Sequence, residues 1–149
     1  MATSDQGVLA YAQWVCVIIE NKSKSMTATV GGAYLKWGKF YKDGDKDKEI
    51  PPSDVDKIEI PPGQKKRVYS CGRSDASSGT EGGFKLYDGK DKKEDKCIGE
   101  VYWDCPWGSK TNTFNTTPTH PDDYNISNGP YNQSGGALGD VDVYVSKVA

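Results

Sequence analysis

The amino-acid sequence predicts an all-β protein folded as a single-domain β-sandwich. Three observations lead there. The chain has 149 residues, room for one domain with a real hydrophobic core that needs neither disulfides nor metals to stay folded. Only about a third of the residues are apolar, with 17 Gly, nine Tyr and four Trp, a mixture that favours short strands and many turns over long helices. The apolar residues alternate along short segments, and turn-forming residues separate those segments.

Taken in order, residues 1–8 read as a flexible tail. Tyr11 to Glu20 alternate and are rich in Val and Ile, and Thr27 to Tyr41 repeat that character around a Gly31-Gly32 interruption that predicts a bulge. Both read as long strands. The charged stretch Lys42 to Glu49 and the Pro51-Pro52 pair break the pattern, and Lys57 to Ile60, Lys66 to Cys71 and Gly83 to Tyr87 resume it. Asp88 to Lys96 reads as a polar hairpin tip. Ile98 to Asp104 forms a strand that must end or lie at an edge by Pro106, and Thr111 to Asn115 continues that sheet. Thr116 to Gly136, rich in Pro, Asn, Ser and Gly, reads as a long ordered loop, and Gly139 to Val148 closes the chain with Val141, Val143 and Val145 in strict alternation. About eight to ten strands result, a number that suits a sandwich. No internal repeat is visible, and no segment reads clearly as a helix.

Several function classes lose support. The net charge is −2 with both signs interleaved, so no broad basic face attracts nucleic acid. The N-terminus lacks the basic start and apolar core of a secretory signal. This implies a leaderless chain, cytoplasmic or non-classically secreted and peripheral on any membrane it meets. The longest apolar run, Val15 to Ile19, is far below the roughly 20 residues a membrane-spanning helix needs. Cys16, Cys71, Cys97 and Cys105 lack metal-site or secreted-knot spacing and read as free, mostly buried thiols. Sequons begin at Asn21, Asn115, Asn125 and Asn132, and without entry into the secretory pathway they would stay unmodified. Asp43-Gly-Asp45-Lys-Asp47 opens like a calcium loop, but the sixth position is Lys48 and Pro51-Pro52 interrupts it, so a solvated turn is expected. One histidine, His120, and no Gly-x-Ser-x-Gly leave no case for catalytic residues, for a metal or for a cofactor.

The tryptophans remain unusual. Each sits beside polar or charged neighbours: Gln13-Trp14, Lys36-Trp37-Gly38-Lys39 and Trp103-Asp-Cys-Pro-Trp107-Gly-Ser-Lys110. Tryptophan has an apolar body and an N–H handle, so it partitions to the depth where lipid headgroups meet acyl chains. It equally serves as a core anchor. Trp103 reads as core, Trp107 as exposed in a loop, and Trp14 and Trp37 as either. A zwitterionic headgroup calls for a cation and donors at its phosphate, and an acid or aromatic face at its ammonium. Asp104, Trp107, Ser109 and Lys110 supply these within seven residues. Aromatic-plus-acid loops also serve sugar binding in lectin-like sandwiches, so the residues by themselves leave lipid and glycan open.

Longer stretches resemble one family. Ala10-Tyr-Ala-Gln-Trp14, Trp37-Gly-Lys39 followed by Asp43-Gly-Asp-Lys-Asp47, Cys71-Gly-Arg-Ser-Asp75, Tyr102-Trp-Asp-Cys-Pro-Trp-Gly-Ser-Lys-Thr-Asn112 and Gly135-Gly-Ala-Leu-Gly139 resemble the aegerolysins, in family order over nearly the whole chain. Ser70 to Gly79 with Gly82-Gly-Phe84 is most similar to the Asp-hemolysin type of filamentous ascomycetes. The resemblance implies an actinoporin-like sandwich without the N-terminal pore-forming helix. It also implies a non-enzymatic, hemolysin-like protein that recognises membrane sphingolipids, either ceramide phosphoethanolamine or sphingomyelin with cholesterol, and works beside a larger MACPF-domain partner that makes the pore. By the same resemblance Tyr102, Asp104, Trp107, Ser109 and Lys110 lie at the lipid headgroup, and Trp14, Trp37 and Trp107 insert into the membrane interface. Some members that discriminate between sphingolipids carry a glutamate where this chain has Ser78, so headgroup choice does not transfer.

Overall fold

The structure, a computed structural model, describes residues 11–108 and 110–148. The expected tail at residues 1–8 lies outside them. Eleven strands are seen among the described residues: β1 (Trp14–Asn21), β2 (Ala28–Trp37), β3 (Lys39–Lys42), β4 (Asp45–Ile50), β5 (Glu59–Ile60), β6 (Lys65–Cys71), β7 (Thr80–Asp88), β8 (Cys97–Cys105), β9 (Thr113–Pro118), β10 (Tyr124–Asn128) and β11 (Gly139–Lys147). A four-residue helix α1 (Pro52–Val55) precedes β5, and one 3₁₀ turn (Glu94–Lys96) precedes β8. A six-stranded sheet runs β10-β11-β1-β6-β3-β4, and a five-stranded sheet runs β5-β2-β7-β8-β9. All pairings are antiparallel except β1 with β11.

Alternation builds the core between the sheets. Val15, Val17 and Ile19 of β1 and Val141, Val143 and Val145 of β11 point inward and are fully or almost fully buried. Facing them, Phe84, Val101, Trp103 and Phe114 of the other sheet join the same apolar cluster. Each fully buried side chain of this size contributes about 1.5–3 kcal/mol. Trp103 sits at the centre, edge-on to Phe40 of the opposite sheet at 6.2 Å and to Phe84 at 6.0 Å. All four cysteines are free and buried. Burial pushes the Cys16 thiol up to about 12 and those of Cys71 and Cys105 up to about 11, so these three are protonated thiols at neutral pH.

Three expectations need correction. Thr27 to Tyr41 is two strands in different sheets. Gly38, at φ 96, carries the chain across, and a Cβ there would lie 2.6 Å from the Cys71 carbonyl oxygen. The bulge does fall at Gly31, where the β2–β7 register shifts. Lys42 to Glu49 is no break: Asp43 and Gly44, both with positive φ, form the kind of tight turn that joins two strands, and the charged residues after it make up edge strand β4. The loop at Thr116 to Gly136 contains the end of β9 and all of β10. Its Asn and Ser residues hid an outer edge strand whose Tyr124 is buried and whose Ile126 packs on the core.

A chain of buried polar groups crosses between the sheets. The Trp103 indole N–H donates to Thr80 Oγ1 at 3.0 Å, and Ser70 Oγ donates to the Lys39 carbonyl at 2.8 Å. With the Ser70 proton so used, the Thr80 hydroxyl donates to Ser70 Oγ at 2.6 Å. Thr80→Val keeps the shape and strands the indole N–H, so chemical denaturation should show a loss of about 1–3 kcal/mol. Trp103→Ala should cost about 3–5 kcal/mol. Unchanged stability in Thr80→Val would remove this chain from what holds the sheets together.

Candidate functional site

Strand register gathers the sequence-predicted residues at one end of the sandwich. Cys71 pairs with both Trp14 and Lys39, Trp37 pairs with Glu81, Thr80 with Cys105, and Asp104 with Thr113. The starts of β1, β3, β7 and β9 and the ends of β2, β6 and β8 therefore share that end. Backbone hydrogen bonds tie the last long loop to it, from Leu138 to the Trp14 carbonyl at 3.0 Å and from Asn112 to the Gln133 carbonyl at 2.9 Å.

A cleft of about 250 Å³ opens there, walled by Trp37, Ser78, Glu81, Asp104, Trp107 and Lys110. Trp37 is 52% exposed, and Lys110 is exposed. Trp107 is half-buried rather than exposed, because its loop folds back to form one wall of the cleft. Trp103, in contrast, is fully buried. Asp104 projects from the outer face of β8, since Trp103 and Cys105 on either side of it point into the core. Ser109 lies outside the described residues.

Two predicted residues take other positions. Tyr102 is not on the cleft wall. It stands two residues before Asp104 on the same face, and its hydroxyl donates to Glu81 Oε2 at 2.5 Å. Trp14 reaches the same end on the outer face of the six-stranded sheet, where it lines a separate cleft with Tyr41, Tyr69, Lys46 and Asp140. The Lys46 ammonium lies 5.4 Å from its ring centre. His120 is an anchor for its loop, with Nδ1 2.8 Å from the Cys97 carbonyl oxygen.

The residue that sequence reading missed is Glu81. It sits directly opposite Asp104 in the β7–β8 pairing, with Trp37 opposite it on the other side. No local pattern marks it, because its role depends on the register of strands 23 residues apart. Burial, then the Glu81 carboxylate, raises the Asp104 carboxyl above the usual range, while Lys36 and Lys110 pull it back. Burial and the bond to Glu81 push the Tyr102 hydroxyl up as well. The cleft thus combines two carboxylates, one flexible ammonium and two indole rings. That set can hold a small ligand with separated positive and negative charges.

A two-sheet sandwich with a charged, aromatic cleft between its end loops defines a β-sandwich binding protein. More specifically, the chain belongs to the aegerolysin family, whose model matches residues 12–148. It is 54% identical to Asp-hemolysin of Aspergillus fumigatus over 94% of this chain and 96% of that one. It is 42% identical to ostreolysin A6 of Pleurotus ostreatus, over 91% and 95% of the two chains. Among solved structures, IP-1A of Alcaligenes faecalis superposes with a TM-score of 0.85 at 42% identity, covering 98% of this chain and 99% of that one. The family consists of non-enzymatic proteins that bind membrane lipids.

The electrostatics of the cleft can be read directly. In a carbon-detected NMR titration the Asp104 carboxyl should show a midpoint above the ordinary value of about 3.9. Glu81→Gln should lower that midpoint, and Lys110→Ala should raise it further. An Asp104 midpoint at or below the ordinary value would contradict this arrangement.

Proposed function

We propose that this protein docks on sphingolipid membranes by taking a zwitterionic headgroup into the cleft at its tryptophan-bearing end. The observation that carries the reading is the placement of Lys110 and Asp104 on the walls of one cleft between Trp37 and Trp107. Lys110, with Ser109, meets the phosphate. Asp104 and the neighbouring indoles meet the ammonium. A charge-assisted contact of this kind contributes about 1.5–3 kcal/mol. Trp37 and Trp107 enter the interface beside the bound headgroup, and Trp14 does so from the other sheet. The names of the relatives support the membrane part, since one is called a hemolysin. Ceramide phosphoethanolamine and sphingomyelin with cholesterol are the target lipids.

We further infer that the protein is the lipid-docking component of a two-component system whose pore is made by a MACPF-type partner. Family resemblance is the support for that part. Adding such a partner to docked protein should release a trapped dye, and neither chain should do so alone.

Sedimentation with vesicles tests the docking site. Phosphatidylcholine vesicles carrying either target sphingolipid should pellet the wild-type protein, and phosphatidylcholine alone should not. Lys110→Ala and Trp107→Ala should each weaken binding about tenfold or more while leaving the melting temperature within a few degrees of wild type. Full binding by both variants would place the site elsewhere. Saturable glycan binding that survives without lipid would favour a lectin.

A further inference from the structure

β6 is an inner strand of the six-stranded sheet, yet only part of it has a neighbour on its β3 side. β3 pairs with Tyr69, Ser70 and Cys71 and then turns back through Asp43 and Gly44 into β4. Among the described residues no strand lies beside residues 65–68 on that side. The register against β1 shows which backbone groups are left over. The Gly72 N–H donates to the Gln13 carbonyl and the Asn21 N–H to the Gln64 carbonyl, each at 3.0 Å. Hydrogen-bonded pairs alternate along an antiparallel ladder, so Lys66 and Val68 turn their N–H and C=O groups to Ile19 and Val17 of β1. Lys65 and Arg67 turn theirs away from β1, to the open side.

A groove of about 360 Å³ runs along this edge, larger than the cleft between Trp37 and Trp107. Val55 and Val68 are buried beneath it, and Ile50 and Ile58 are partly buried in its wall. Four exposed cations, Lys42, Lys65, Lys66 and Arg67, line its rim. The two acids of the groove are already engaged, Asp43 with Lys48 at 3.9 Å and Asp54 with Lys57 at 3.5 Å, and Lys65 lies 3.9 Å from Glu20. Among the described residues Lys42, Lys66 and Arg67 enter no ion pair. Lysines also protect an open edge against unwanted pairing. Protection of that kind needs no apolar groove beside the edge, and here there is one. Lys65 and Arg67 share the outer face of the sheet with Tyr69, while Val68 joins the core. A strand laid along this edge would set acidic side chains beside Arg67 and Lys65 and an apolar one between them, toward Ile50, Val55 and Ile58.

We propose that the open edge at residues 65–68 is a docking site for an extended segment of another protein in which acidic and apolar residues alternate, and that this segment joins the sheet as a strand in line with β3. Main-chain bonds to Lys65 and Arg67 hold the segment, and the cations with the apolar groove select its side chains. The edge is at the opposite end of β6 from Cys71, roughly 20 Å along the strand. An occupant there leaves the cleft open, and docking is independent of what the cleft binds.

The probe is a fluorescein-labelled peptide with blocked ends, Gly-Glu-Val-Glu-Val-Glu-Gly. Fluorescence polarisation should show saturable binding to the wild-type protein, weakened by rising salt. The same peptide N-methylated at its glutamates keeps every side chain and charge but lacks the donors, and it should bind about tenfold or more weakly. The Lys66→Glu, Arg67→Glu double variant should bind the parent peptide about tenfold or more weakly with an unchanged melting temperature, and Lys110→Ala should bind it as wild type does. Peptide should slow amide hydrogen exchange at Lys65 and Arg67 by about tenfold or more and leave Lys66 and Val68, already bonded to β1, as they were. No saturable binding, equal binding of the N-methylated peptide, or binding that leaves Lys65 and Arg67 exchanging freely overturns the proposal. Protection of those two amides that grows with protein concentration in the absence of peptide would make a second copy of this chain the occupant and overturn it as well.

Discussion

The period of two along β7 and β8 is the constraint on which the rest of this structure depends. Thr80 and Trp103 point inward and join the buried chain that runs through Ser70 to the Lys39 carbonyl. Their next neighbours, Glu81 and Asp104, therefore point outward and meet across the ladder. A slip of β8 by one residue would bury Asp104 and expose the central tryptophan. The bonds that fasten the two sheets thus also set which charges face the cleft. Core and site cannot vary independently here.

This coupling lets strand pairing itself position the charged groups of the cleft. The indole ring of Trp103 fills the core against Phe40 and Phe84, and its N–H fixes Thr80. The ends of seven strands then hold the loops that wall the cleft. The outermost groups of the cleft are Lys110 and the rings of Trp37 and Trp107, and of these Lys110 and Trp37 are exposed. A rigid floor beneath adaptable walls lowers the ordering cost of binding.

Much of this was legible in the sequence, and what was not has identifiable causes. Alternation in Val15–Ile19, Gly83–Tyr87, Ile98–Asp104 and Val141–Val145 marked true strands, because in each the alternate apolar residues face the core. Asp45–Ile50 and Tyr124–Asn128 escaped notice because they are edge strands, whose exposed faces carry Lys, Asp, Asn and Ser. The split at Gly38 was hidden because the apolar pattern continues through it while the chain changes sheets. For the site, Asp104, Trp107 and Lys110 were visible as one run of chain. Glu81 was invisible, since nothing in Gly79-Thr80-Glu81 records the strand that will lie beside it. The separation of Trp14 from Trp37 and Trp107 was equally hidden, because it follows from which sheet each strand joins.

The central claim is that the end of the sandwich bearing Trp37 and Trp107 meets the membrane. Quenching of tryptophan emission by lipids brominated near the headgroup tests it most directly. On sphingolipid vesicles the wild-type protein should be strongly quenched, and the Trp37→Phe, Trp107→Phe double variant should lose a large part of that quenching at equal bound protein, keeping only what Trp14 contributes, since Trp103 stays within the core. Undiminished quenching in the double variant, or none in a wild-type protein that pellets with the vesicles, would contradict the account.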